Sequence, residues 1–210
     1  MCLRHYSGRG DSPRRRGPAP RGTRPRVVAR QIGFPCLLFL GILLPACARP
    51  LPVPPPVISG YGDWTGGTGL RRSWQHYGID IRAPVGTPVL AAADGTVLRV
   101  TEGPISGKMI ILAHSEDLAT SYHHLSEIST QEGEWIQRGT AIGRSGMTGN
   151  ATTPHLHFGV CRVRGGRCGN RLDQGWDDPA RYWVPGDRCF QSGEVFPPMR
   201  LTYPLPCQTG

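Results

Sequence analysis

HYGIDIRAPVGTPVLAAADGTVLRV, residues 76–100, carries the reading of the whole fold. Its apolar residues form short runs rich in Ile, Val and Thr. Each run is closed by a turn signal, first Ala83-Pro84-Val85-Gly86 and then Ala93-Asp94-Gly95. Such runs read as strands, because branched side chains fit a pleated surface while glycine, proline and aspartate supply the reversals. Outward along the chain the texture repeats in residues 108–114 (KMIILAH), 118–125 (LATSYHHL), 140–146 (TAIGRSG) and 155–163 (HLHFGVCRV). Glu102-Gly103-Pro104 is a further turn. No stretch keeps a helical apolar period over a useful length. The expectation is an all-β domain, mainly antiparallel, over residues 58–185, long enough for one hydrophobic core and too short for two.

The formal net charge of +9 sits almost entirely in front of this domain, since residues 1–47 contain nine arginines against one acid, Asp11. The body is therefore close to neutral and has no excess of positive charge with which to follow a phosphate backbone. Nucleic acid is excluded as an expected partner. Residues 31–47, QIGFPCLLFLGILLPAC, form an apolar run preceded by arginines. The run is too short and proline-broken for a membrane span, which needs roughly 20 apolar residues. It suits an export signal. Its end, Leu44-Pro45-Ala46-Cys47, resembles the lipobox of bacterial lipoproteins, with lipid expected on Cys47; the alternative is simple cleavage after Ala46. The basic stretch is long for such a signal, so translation starting near Val27 or Val28 is a second possibility. Ala48, in place of an aspartate, points to the outer membrane. The expected product is an exported periplasmic protein anchored by its lipid, with residues 48–57 (ARPLPVPPPV) as a stiff proline-rich tether.

Cys161, Cys168, Cys189 and Cys207 lie in the body and allow three pairings. The short CRVRGGRC segment favours Cys161–Cys168 across a hairpin, which leaves Cys189–Cys207 to tie down residues 186–210, an irregular extension rich in proline. A structural zinc knuckle is the competing reading, but no C-x-x-C pair occurs among these four. Disulfides fit a protein that leaves the cytosol.

Six of the seven histidines fall between His76 and His157. They cluster as His76-Tyr77-Gly78-Ile79-Asp80, Tyr122-His123-His124-Leu125 and His155-Leu156-His157. Together the clusters supply two imidazoles and a carboxylate for a zinc ion with an open position, and two further imidazoles for proton transfer. His155 and His157 stand two apart in a strand, so both face one side with Cα atoms roughly 7 Å apart. His76 and Asp80 would lie about 13 Å apart in a straight strand, so the chain must bend between them. Gly78, which adopts conformations closed to other residues, is the expected hinge. Alternation places Tyr122 and His124 on one face and His123 on the other, one imidazole pointing into a pocket and the other outward. His114, in the strand-like IILAH, is a packing or surface position. The glycine-rich loop Ser145–Asn150 either walls a groove or is only a turn; it lacks the lysine and helix of a phosphate loop.

The segment HYGIDIRAPVGTPVLAAADGTVLRV, then GKMIILAHSEDLATSYHHLS, then GTAIGRSGMTGNATTPHLHFGV resembles the lysostaphin-type (LytM-like) zinc endopeptidases of bacterial cell walls. The likeness keeps the order H-x-x-x-D, Y-x-H-L, H-x-H over residues 59–163. It implies a compact antiparallel β domain with a groove over the sheet and zinc on its floor. It implies His76, Asp80 and His157 as metal ligands, and His124 and His155 as catalytic histidines, with His155 as the base and His124 as the oxyanion partner or the reverse. The implied substrate is the peptide cross-link of peptidoglycan. The alternatives are a catalytically idle wall-binding regulator or a zinc peptidase acting on proteins, and a regulatory protein partner is compatible with the family. Thr153 stands before Pro154 where glycine is common, and Gly159 stands where an acid is frequent.

Overall fold

A computed structural model describes residues 52–65, 69, 75–169, 175–185, 188–193, 195–197 and 199–208. The leader, the apolar run and Cys47 lie outside the described residues. The strands are β1 (Val57–Ser59), β2 (Ile79–Arg82), β3 (Pro88–Leu90), β4 (Gly95–Gly103), β5 (Gly107–Ala113), β6 (Leu118–Leu125), β7 (Glu127–Ile128), β8 (Trp135–Ile136), β9 (Ala141–Arg144), β10 (His155–Arg162) and β11 (Trp176–Asp177). The main sheet runs β1-β2-β10-β6-β5-β4-β8, with β11 also on β10, and a small sheet runs β3-β9-β7. Every strand pair is antiparallel, so the expected all-β class holds.

β10 and β6 form the centre of the sheet, and their period-two alternation divides core from site. Leu156, Phe158 and Val160 of β10 join Leu118 and Tyr122 of β6 in the main apolar cluster with Ile81, Val97, Ile110 and Leu112. His155 and His157, the intervening residues, face the opposite side. Beneath them a polar strut crosses the core. The Tyr122 hydroxyl accepts a hydrogen bond from Ala92 N–H (2.9 Å) and lies 3.0 Å from Thr120 Oγ1. Thr120 Oγ1 is 2.8 Å from His114 Nε2, and His114 Nδ1–H donates to the Asp94 carbonyl at 2.7 Å.

His114 is thus a packing residue, and burial pushes its pKa down from 6.5 to about 4. The unfolded chain takes up this proton as pH falls below 6.5, whereas the folded chain resists until about pH 4. Stability from this group is therefore complete above pH 6.5 and is lost on acidification through that window. The ring keeps an exposed edge, which limits the loss to at most about 3 kcal/mol. Urea midpoints at pH 7 and pH 4.5 should differ less in His114→Gln than in the parent.

The C-terminal extension belongs to the core. Leu201, Tyr203 and Leu205 of the extension are buried in the main cluster, and Tyr203 packs on Trp183 (ring centroids 5.6 Å apart), which stacks on Phe158 at 5.7 Å. Disulfides join Cys161 to Cys168 and Cys189 to Cys207, the pairing expected from spacing. Residues 52–57 differ from a free tether. Val53 exchanges two 2.9 Å backbone hydrogen bonds with Gln208, Tyr203 O–H donates to the Pro55 carbonyl, and Arg82 N–H donates to that of Pro56. Proline lacks a donor but keeps its carbonyl, and those carbonyls are what the body uses to hold this stretch.

Candidate metal centre

The register of three strands builds the site. β2 and β10 pair so that Asp80 stands opposite His157, and β6 places His123 opposite the same His157. Residues directly opposite in neighbouring strands share a face, so Asp80, His157 and His123 form one cross-strand row. His76 precedes β2. The chain bends at Tyr77 and Gly78 and brings the His76 ring back over the row. His76 Nε2 lies 2.8 Å from His157 Nδ1 and 3.0 Å from Asp80 Oδ1, and Asp80 Oδ1 lies 3.0 Å from His157 Nδ1. All three residues are buried.

Gly78 has a different reason from the hinge conformation expected of it. Its φ is not left-handed; what glycine provides is proximity. A Cβ there would sit 2.5 Å from the Phe158 carbonyl oxygen and 2.8 Å from His157 Nε2. Gly78→Ala must push β10 and the His157 ring aside, at an expected cost of about 1–3 kcal/mol. Urea unfolding checks the stability, and metal content per chain should fall together with it.

The donor set fits a divalent cation. The Gly60 carbonyl, 2.8 Å from His76 Nδ1, only accepts, so the His76 proton is on Nδ1 and Nε2 presents a lone pair. That lone pair, an Asp80 carboxylate oxygen and His157 Nδ1 converge within 3.0 Å, which places acceptors together with too little positive charge between them. Ligands of a tetrahedral zinc are roughly 3.4 Å apart when each is about 2.1 Å from the metal. Burial works against the Asp80 carboxylate, but the His157 and His76 imidazoles against it prevail and hold it below the usual carboxylate range. Burial lowers His157 to about 3 despite its bond to Asp80. An ionised carboxylate beside the neutral His157 imidazole is the protonation state that metal binding requires.

His155 and His124 flank this triad, with ring centroids 4.8 Å apart. His155 Nδ1–H donates to the Thr153 carbonyl (2.7 Å), and its Nε2 is 3.6 Å from Asp80 Oδ1. His124 Nδ1–H donates to the Thr148 carbonyl at 2.8 Å. Each carbonyl fixes a tautomer whose Nε2 is basic.

The expected alternation at Tyr122-His123-His124 is overturned. Tyr122 faces the core, and both histidines face the site. The cause is a β-bulge: Tyr122 pairs with Ile110 and Leu125 with Lys108, so two residues of β6 oppose Met109 alone. His124 absorbs the extra residue with φ 61°, in the left-handed region. His123, which sequence reasoning left outside the site, packs edge-on against His157 with centroids 4.7 Å apart. Burial, and then the charges of His157 and His124, lower its pKa well below the ordinary value. The adjacent pair of histidines was the only hint of its place. At Gly159, where the resemblance leads one to look for an acid, a Cβ would sit 2.6 Å from Trp176; the indole occupies that space. A cavity of about 550 Å³ at Arg138, Gly139, Phe190 and Phe196 includes none of these site residues.

Against known proteins, residues 74–170 match the model of peptidase family M23. The chain is 40% identical over 95 residues to the peptidoglycan DD-endopeptidase ShyA of Vibrio cholerae, covering 45% of this chain and 22% of that protein. It is 35% identical over 112 residues to ShyB of the same organism, also a peptidoglycan DD-endopeptidase, covering 50% and 26%. The chain thus spans about a quarter of the length of these curated relatives. Among solved structures it resembles LytU, with 30% identity, a TM-score of 0.52, and coverage of 60% of this chain and 82% of that one.

Proposed function

Because the chain belongs to peptidase family M23, we propose that it is a zinc-dependent endopeptidase that hydrolyses the peptide cross-links of peptidoglycan. The observation that carries this reading is the convergence of His76 Nε2, Asp80 Oδ1 and His157 Nδ1 within 3.0 Å, with two further histidines alongside. These three residues would hold the ion, and a bound zinc supplies Lewis acidity that acidifies water and polarises a peptide carbonyl. His155 Nε2, beside the Asp80 carboxylate, takes the proton from the attacking water and returns it to the leaving amine as the C–N bond breaks. His124, protonated at Nε2, donates to the carbonyl oxygen as negative charge develops there. The Thr153 and Thr148 carbonyls keep their Nδ1–H bonds in the imidazolium forms, so each ring can gain charge without turning. The two disulfides favour an oxidising compartment. That supports export to the periplasm; the lipid on Cys47 and the outer membrane are proposed from Leu44-Pro45-Ala46-Cys47 and Ala48 alone.

Incubation of the full protein with cross-linked muropeptides tests the reading. Dimers should disappear, a chelator should stop their loss, and added zinc should restore it. Sedimentation with sacculi without cleavage would replace the enzyme with a wall-binding regulator. Cleavage of casein but not of sacculi would replace the substrate.

A further inference from the structure

We propose that Thr148, in the glycine-rich loop before β10, is the positioning residue that holds His124 in the site. This rests on the reading of His124 as a group that acts on the substrate.

His124 occupies a backbone conformation that residues with a Cβ seldom adopt (φ 61°). Relaxation to extended backbone would restore alternation and turn its ring away from His157, as strand periodicity alone dictates. Something outside β6 must hold the bulge. His124 N–H donates to the Ser106 carbonyl at 3.0 Å, and its ring Nδ1–H donates to the Thr148 carbonyl at 2.8 Å. Thr148 is itself locked to both strands that frame the bulge. Its hydroxyl accepts from Lys108 N–H on β5 at 3.0 Å and donates to the Leu125 carbonyl on β6 at 2.8 Å. Lys108 and Leu125 are the register pair that closes the bulge. One side chain therefore clamps the two edges of the irregularity, while the same residue's carbonyl receives the ring that the irregularity displays.

Two glycines let this loop approach. Gly107 and Gly149 both have positive φ (60° and 71°), and a Cβ on Gly107 would collide with Thr148 and one on Gly149 with Gly107. Asn150 N–H completes the contact on the Ile105 carbonyl at 3.1 Å. The loop is thus neither a free turn nor only a groove wall.

The test uses the full chain loaded with zinc. Thr148→Val keeps the shape and removes the hydroxyl; Thr148→Ser keeps the hydroxyl; Thr148→Ala is a second removal with no packing demand, should the valine variant fail to fold. Nitrogen-15 spectra report whether the His124 ring carries a slowly exchanging Nδ1–H, independently of activity. In the valine and alanine variants that signal should be lost and kcat on muropeptide dimers should fall about 30- to 100-fold, with KM within about 3-fold. Zinc content should remain one per chain, and serine should restore both signal and kcat. A valine or alanine variant that retains the Nδ1–H signal and parental kcat overturns the proposal. If the parent cleaves no muropeptide while its Nδ1–H signal still depends on the Thr148 hydroxyl, the proposed function falls and the positioning role stands.

Discussion

Replacing His157 with alanine is expected to abolish zinc binding and to lower muropeptide cleavage by on the order of 10³-fold or more. The Nδ1 of this residue touches both other donors, at 2.8 Å to His76 and 3.0 Å to Asp80. Without it, a buried imidazole lone pair and a buried carboxylate face one another with no third ligand. Two donors do not hold a catalytic zinc, which takes three from the protein. Asp80 also loses its contact with the His157 ring, which offsets its burial, so its carboxyl should take up a proton more readily. Zinc analysis, muropeptide digestion and thermal melts with and without chelator check this together. Zinc bound only to the folded state raises the parent's melting temperature, whereas the variant's melt should not respond to chelator. Tight stoichiometric zinc in His157→Ala would show that the ion sits elsewhere. His114→Gln, on the structural side of the sheet, should keep its zinc.

Alanine at His155 or at His124 should produce the second largest effect: turnover lower by roughly 10²–10⁴-fold with zinc retained. Neither ring has a nitrogen in the triad. His155 Nε2 stands 3.6 Å from Asp80 Oδ1, and His124 packs against His155. Their Nδ1–H groups are bonded to main-chain carbonyls, so their loss leaves the ligand register of β2 and β10 unchanged. The double variant should be little worse than either single one, because residues that act as a unit are not additive. Metal analysis and single-turnover cleavage separate this from loss of the site. Equal loss of zinc in both variants would mean that they are ligands rather than proton-transfer groups.

Much of this was legible in local pattern. His155 and His157 share a face because strand side chains alternate with period two, and that rule needs no tertiary information. The short branched runs between proline and glycine turns specify strands, and the brief Cys161–Cys168 segment favours its own closure. The order of the histidine and aspartate clusters was enough to point to the family. Three readings failed where a distant segment prevailed. Tyr122, His123 and His124 break alternation because a loop more than twenty residues away braces a bulge. Gly78 is needed for the approach of β10, which no feature of its own neighbourhood reveals. Residues 52–57 look like a tether by composition, yet their carbonyls find Tyr203 and Arg82 as donors.

Local pattern sufficed for the β class, the candidate ligands and the likeness that links them to a peptidase. Which nitrogens meet was settled by long-range pairing, because register is set between strands remote in the chain. The tautomers of His76, His155 and His124 depend on carbonyls brought in by loops. Side-chain periodicity is a property of one strand, whereas a metal site is a property of several strands held at one relative offset.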